Sequence, residues 1–218
     1  MKFDLHIHSK YSGDSKSETH DIIKTAEKRG MDGISILDHN SIKGYEKAQK
    51  VDTDLIIVPG IEVSTPDGHI IAMGLREEIG KQASISEAID RIRERGALAI
   101  AAHPYRFWSG VGEKNILKNE WDGIDGQNGR GWGFRNRQAR ALAEKMGVPV
   151  IGGSDSHRLK TIGKAFTMIG EADTWEDVIQ KIEKGKTKIG GEDRTFKQTF
   201  FYVRRAISGY IMRGFESI

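Results

Sequence analysis

The stretch DLHIHSKYSGD, residues 4–14, sets Asp4, His6 and His8 in alternation with Leu5 and Ile7. In a strand, residues two apart project from one face. Three titratable side chains therefore share a side, and burying them without partners would cost free energy. Other residues of the same chemistry fall in comparable places. His39 closes GISILDH (33–39), His103 closes ALAIAAH (97–103), and Asp155 and His157 follow VPVIGGS (148–154). Glu62 and His69 flank a Pro66-Asp67-Gly68 turn, and Asp14 follows Ser12-Gly13. Imidazole nitrogen with carboxylate oxygen is the donor chemistry of zinc, manganese or iron, not of calcium or a thiolate-bound metal. No single ion uses so many protein ligands, so the set implies two or three divalent ions.

One histidine at a strand end is ordinarily a hydrogen-bonded structural residue. Six of that type beside strands, with carboxylates between them, are too many for that explanation. His20, in SETHDII at a helix start, is the exception and reads as a solvated first-turn residue.

The positioning elements alternate. Strands are expected at 3–8, 33–39, 54–63, 69–75, 97–104, 123–128, 148–152, 165–169 and 186–189, and helices at 18–29, 41–50, 84–95, 135–145 and 174–184. The 84–95 helix shows apolar spacing at Ile85, Ala88, Ile89 and Ile92, with Ser84 and Glu87 placed as a capping box. Strands alternating with helices predict βαβ units and parallel pairing, an α/β single domain closed as a barrel. In such a barrel the carboxyl ends of the strands carry the chemistry, where most of these histidines lie. The Gly-, Trp- and Arg-rich stretches 105–123 and 127–134 read as loops with one short helix over the mouth. Residues 194–218 mix aromatics with cations and read as a C-terminal helical segment packing on the domain, in preference to a membrane-surface or partner contact.

Composition narrows the class. The 218 residues contain no cysteine, which excludes disulfides, thiolate metal sites and cysteine nucleophiles. A net charge of +3 permits an anionic substrate, but nucleic acid is not favoured without a concentrated basic patch. No apolar run approaches the roughly 18 residues of a membrane span. With a strand starting at residue 3, no signal peptide is expected, and the plain expectation is a cytoplasmic protein. Oligomeric state is open.

The motifs DLHIHSKYSGD, ILDHN (36–40), GIEVS (60–64), GHIIAMG (68–74), AHP (102–104) and GSDSH (153–157) resemble, in order, those of the polymerase and histidinol phosphatase (PHP) family of metal-dependent phosphoesterases. IDGQNGR (124–130) is similar to the segment before that family's last metal motif. The resemblance implies an irregular seven-stranded (β/α) barrel with a trinuclear centre. His6, His8, Glu62 and Asp155 would hold one ion. Glu62 would bridge to a second, completed by His69 and His103. Asp14, His39 and His157 would hold the third. Asp4 is then no ligand but a residue that orients one. Either Asp155 or His157, or a water, would pass a proton to the leaving group.

Phosphate needs cations as well, and the planar guanidinium fork suits it. Arg106, three residues after His103, is the first candidate; Arg158 is second, and Lys10 and Arg130 follow. Trp108, Trp132 and Phe134 either stack a ring or pack beneath their loops. The expected substrate is a phosphorylated small molecule or a nucleotide. The alternatives are a 3′–5′ exonuclease acting on single strands and a non-catalytic metal-binding module.

Overall fold

The computed structural model describes residues 1–193, so the expected C-terminal helical segment 194–218 lies outside the described residues. Among the described residues, ten strands form two five-stranded sheets, where a single seven-stranded barrel was expected. The first sheet is built from β1 (Lys2–Ile7), β2 (Gly33–Ile36), β3 (Ile56–Val58), β9 (Ala165–Ile169) and β10 (Thr187–Gly191), in the order β10-β9-β1-β2-β3. The second runs in sequence order through β4 (Gly60–Thr65), β5 (Gly68–Met73), β6 (Leu98–Ala101), β7 (Gly123–Asn128) and β8 (Val150–Gly153).

Two local causes divide what the sequence pattern joins. The apolar run 54–63 reads as one strand, but Pro59 has no N–H to donate to a ladder. Gly60 lies so close to its neighbours that a Cβ there would sit 2.7 Å from the Ala72 carbonyl oxygen and 2.7 Å from Leu37 Cδ2. The chain therefore crosses between sheets at Pro59-Gly60. In addition, half the pairings are antiparallel: β4 with β5, β5 with β6, β1 with β9, and β9 with β10. The turn between β4 and β5 is short enough for an antiparallel hairpin, which a parallel crossover could not be.

The sheets meet at two seams. Ile7 bridges to Ser156 and His39 to Glu62, each in parallel register. At the first seam β8 lies so close to β1 that a Cβ on Gly153 would stand 2.6 Å from the His6 backbone nitrogen. Between the sheets lie Phe3, Leu5, Leu37, Val58, Ile71, Met73, Ile100 and Ile151, all buried. Each such side chain stabilises the fold by about 1.5–3 kcal/mol.

Helices cover the outer faces. Helix α1 (Thr19–Lys28) packs Ile22 and Ile23 near Ile34 and Ile36 of β2. Helix α2 (Lys43–Ala48) is shorter than the 41–50 expected. Helix α3 (Ile85–Arg93) and helix α5 (Gly133–Met146) cover the second sheet. In α3 the Glu87 N–H donates to Ser84 Oγ at 3.2 Å, as expected, while the Glu87 carboxylate accepts from Ala83 N–H. Helix α4 (Glu113–Lys118) is the one short helix expected in 105–123, and α6 (Trp175–Glu183) carries a full Thr174–Asp177 capping box.

Candidate metal centre

The seams are where the donors gather. His6 lies in β1 and His8 just beyond it; His39 follows β2; Glu62 lies in β4, opposite Ile71, and His69 in β5, opposite Ser64. His103 follows β6, and Asp155 and His157 follow β8. Asp14 reaches the group through the tight turn Lys10–Ser12, closed by Gly13 at φ 83°. His103 and Asp155 hold left-handed backbone angles, φ 28° and 50°, which cost non-glycine residues energy and are held here by their surroundings.

Glu62 is the hub. Its Oε2 lies 3.2 Å from His8 Nε2, 3.3 Å from His39 Nδ1 and 3.4 Å from His6 Nε2. Its Oε1 lies 2.9 Å from His103 Nε2 and 3.2 Å from His69 Nδ1. Asp155 Oδ1 is 3.6 Å from His8 Nε2 and 3.5 Å from His157 Nδ1. Asp14 Oδ2 lies 2.6 Å from His157 Nε2 and 3.7 Å from His39 Nε2. The donors fall into four overlapping groups: His8, Asp14, His39 and His157; His6, Glu62 and His103; His6, His8 and Asp155; and His39, Glu62 and His69. Every residue expected to be a ligand belongs to at least one group.

The residues fit divalent ions. His6 Nδ1 and Nε2, His8 Nε2, His39 Nδ1 and His103 Nδ1 are buried with no hydrogen-bond partner. Orphaned buried nitrogens are costly, and here most face carboxylate oxygens in one small volume. A cation between them would satisfy both. The electrostatics agree. Burial would push Glu62 and Asp155 up, yet both are held well below the usual carboxylate range. His6, His69 and His39 act on Glu62; Arg106, Arg130, His6 and His103 act on Asp155. Asp14 is likewise lowered against its burial by His157 and His39. Burial depresses His8 to about 3, helped by His157, and His103 to about 4, helped by Arg106. Burial would also lower His6 and His39, but neighbouring carboxylates outweigh it and raise both.

A second layer of groups holds the donors. Ser12 Oγ accepts from the His39 N–H at 3.2 Å and lies 3.0 Å from His8 Nδ1. A proton on Nδ1 donated to Ser12 leaves the Nε2 lone pair aimed at the carboxylates. Asp4 touches no imidazole of the centre. Its carboxylate accepts from Ser154 N–H (2.8 Å), Gly163 N–H (2.6 Å) and His6 N–H (3.3 Å), so it orients the Asp155 loop through backbone. Asp38 accepts from both Ser9 N–H and Ser9 Oγ at 2.6 Å and anchors the turn leading to Asp14. Asp125 accepts from Asn128 Nδ2 at 2.8 Å and from His103 N–H at 3.3 Å, and Asn128 also donates to Asp155 at 3.1 Å.

Asp125 and Asn128 were given no role from sequence, although both lie in IDGQNGR. Residues three apart should face opposite sides of a strand. A register shift between Asp125 and Gln127 inserts an extra residue in β7, and such a bulge turns both inward. A strand that is buried throughout yet carries Asp, Gln and Asn was the available signal.

The candidate phosphate cations separate. Arg106 bonds Asp155 and donates to Asn128 at 3.1 Å. Arg130 donates to Asp155 at 3.1 Å and lies 2.9 Å from the His157 ring nitrogens. Lys10 pairs with Glu18 at 2.8 Å on the exposed side of its turn. Arg158 opens the turn Leu159–Thr161, its carbonyl accepting from Ser156 Oγ. Beside the cluster lies a cavity of about 340 Å³ lined by His103, Arg106, Trp108, Asp125, Arg130 and Trp132, among others. No helix among the described residues is long and apolar enough to cross a membrane.

The family model described as PHP-associated matches residues 133–187. The uncharacterized protein MJ1587 of Methanocaldococcus jannaschii is 39% identical over 138 residues, 57% of this chain and 80% of that one. A Haemophilus influenzae 5′-3′ exoribonuclease is 27% identical over 105 residues, 45% of this chain and 38% of that one. Among solved structures, a two-domain protein from Bacteroides vulgatus, containing a predicted PHP-like metal-dependent phosphoesterase, superimposes with a TM-score of 0.74 at 17% identity. That match covers 88% of this chain and 65% of the other. The chain belongs to the PHP-domain family.

Proposed function

We propose that the protein is a metal-dependent hydrolase of small phosphoesters, acting on a phosphomonoester or a nucleotide. The observation that carries this is Glu62, one buried carboxylate with five imidazoles around its two oxygens and Asp155 alongside. His6, His8, Glu62 and Asp155 would hold one ion, Glu62, His69 and His103 a second, and Asp14, His39 and His157 a third. Zinc, manganese or iron, when bound there, supplies Lewis acidity toward phosphoryl oxygen and an acidified water.

The chain's own groups do the rest. Arg106 and Arg130 lie against Asp155 at the edge of the cavity, where their guanidiniums can take phosphoryl oxygens. His157, 2.6 Å from Asp14, is depressed by burial and by Arg130, so it is a neutral acceptor rather than a standing acid. That neutral lone pair would serve the third ion with Asp14 and His39, so a water would pass the proton to the leaving oxygen. Asp4, Asp38 and Ser12 keep the donors in place and touch no substrate.

The test is hydrolysis of p-nitrophenyl phosphate and of bis-p-nitrophenyl phosphate, with manganese or zinc and after chelation. Metal-dependent release that chelation abolishes is expected. Loaded protein inert toward both esters favours a non-catalytic metal-binding module. The partial match to a 5′-3′ exoribonuclease supports a second reading, exonucleolytic hydrolysis of nucleic acid, with a direction opposite to the 3′–5′ one expected from the sequence. Salt-sensitive binding of single-stranded DNA or RNA, with none of mononucleotides, would favour it over the first.

A further inference from the structure

Asn128 stands where the donor cluster and the two arginines beside it meet. It ends β7, pairs with Gly153 of β8 and is 1% exposed. Asn136, in the first turn of α5, grips its backbone at both polar atoms. The Asn128 N–H donates to Asn136 Oδ1 at 3.2 Å, and Asn136 Nδ2 donates to the Asn128 carbonyl at 3.1 Å. That carbonyl also accepts from the Gly131 N–H at 2.9 Å. The glycines that follow leave no slack. A Cβ on Gly129 would meet the Ser154 carbonyl oxygen at 2.8 Å, and one on Gly131 would meet Asn136 Oδ1 at 2.6 Å. The direction of the Asn128 side chain is therefore set by its backbone.

The side-chain amide uses every hydrogen-bonding site it has. Nδ2 donates to Asp125 Oδ2 at 2.8 Å and to Asp155 Oδ2 at 3.1 Å. Oδ1 accepts from Arg106 Nη2 at 3.1 Å and from the Arg130 N–H at 3.0 Å. Only Asn and Gln carry two donors and an oxygen with two lone pairs on one planar group. Charge fixes which way round the amide sits. Reversed, its oxygen would face two carboxylates, and its NH2 a guanidinium and a peptide N–H.

The four partners serve two tasks. Asp155 is a donor of the centre, while Asp125 accepts from the His103 N–H at 3.3 Å and lies 3.6 Å from His6 Nδ1. Arg106 and Arg130 line the cavity and are the cations placed to take phosphoryl oxygens. Arg106 Nη2 is shared between Asn128 Oδ1 and Asp155 Oδ2, so its position depends on both. Removing Asn128 would take a donor from two buried carboxylates and an acceptor from both arginine segments at once. Buried partners left unsatisfied in this way shift or pair elsewhere.

We propose that Asn128 is a positioning residue that couples ion binding to phosphate binding. Its NH2 aims Asp155 and Asp125 toward the donor cluster, and its oxygen holds Arg106 and the Arg130 segment for a phosphoryl group. This deepens the phosphoesterase reading and rests on it for the use made of ion and phosphate, though not for the coupling itself. Arg106 bears on phosphate alone, so only Asn128 should weaken both ligands together.

Calorimetry on the full chain tests this. It reads zinc affinity, and then methylphosphonate affinity of the zinc-loaded protein, in the native chain, Asn128→Ala, Arg106→Ala and the double variant. Asn128→Ala should lower zinc affinity about tenfold or more and methylphosphonate affinity by about tenfold. Arg106→Ala should lower only the second. In the double variant the methylphosphonate loss should fall short of the product of the single losses, because the Asn128 oxygen acts through Arg106. Asn128→Ser keeps one donor and one acceptor, so it should lose less of each affinity, and it replaces Asn128→Ala if that variant does not fold. A lowered Tm with both affinities kept reduces Asn128 to packing and overturns the proposal. So do losses that multiply in the double variant, or a native chain that binds no methylphosphonate. Joint losses in a protein that hydrolyses neither p-nitrophenyl ester sustain the coupling and overturn the hydrolase reading instead.

Discussion

His39 and Glu62 are joined twice. Their backbones form a parallel bridge between the two sheets, with Glu62 N–H donating to the Asp38 carbonyl and Asn40 N–H to the Glu62 carbonyl at 3.2 and 2.9 Å. Their side chains then meet at 3.3 Å between His39 Nδ1 and Glu62 Oε2. The seam that joins the sheets and the centre that gathers the donors are therefore one feature. Whatever disturbs the seam moves the ligands, and filling the centre braces the seam.

Glu62→Gln tests the hub. The substitution keeps the shape and removes the charge that five imidazoles face. Metal content after dialysis, read by elemental analysis, should fall with activity, and metal affinity should drop at least about tenfold, on the scale seen for altered ligand surroundings. A fully metallated and active variant would refute the assignment.

Metal binding should release protons at neutral pH. His6 and His39 are raised above the ordinary imidazole value by carboxylates that outweigh their burial, so the metal-free centre holds protons there. Metal binds only neutral imidazole. Binding must therefore expel these protons, and affinity rises as pH climbs from about 6.5 toward the raised values. His8, His103 and His157 are lowered and contribute none at pH 7. Zinc calorimetry in two buffers of different protonation enthalpy counts the protons. A count of zero contradicts the electrostatics described above.

Arg106→Ala should act on substrate rather than metal. Charged hydrogen bonds contribute about 1.5–3 kcal/mol, so KM for a phosphomonoester should rise on the order of tenfold or more while metal content stays intact. Arg130 keeps Asp155 paired in the variant. Unchanged kinetics would make Arg106 a structural partner of Asp155 alone.

Gly153→Ala probes the other seam. The new methyl would stand 2.6 Å from the His6 backbone nitrogen, a contact with main chain that cannot rotate away. Overpacking of this kind costs about 1–3 kcal/mol, so a lower Tm is expected together with weaker metal binding, since His6 and Asp155 flank the contact. Gly170→Ala, with no atom within 4 Å of its Cβ, is the control and should leave Tm nearly unchanged.

Residue type and local spacing were enough to single out the side chains that gather here, because imidazoles and carboxylates at strand ends recur in a readable period. His6, His8, Asp14, His39, Glu62, His69, His103, Asp155 and His157 were all legible in this way, and so was the α/β alternation. Packing decided the rest. Pro59 and Gly60 divide one apolar run between two sheets, which no hydrophobic period records. A bulge in β7 brings Asp125 and Asn128 to one side against the strand period. Among the candidate cations, proximity to Asp155 distinguishes Arg106 and Arg130 from Lys10, and Trp108 and Trp132 come to share one cavity although they lie on separate loops. A sequence records which atoms are available and how they repeat along the chain. Which of them meet depends on where the backbone bends and on what the neighbouring sheet leaves room for.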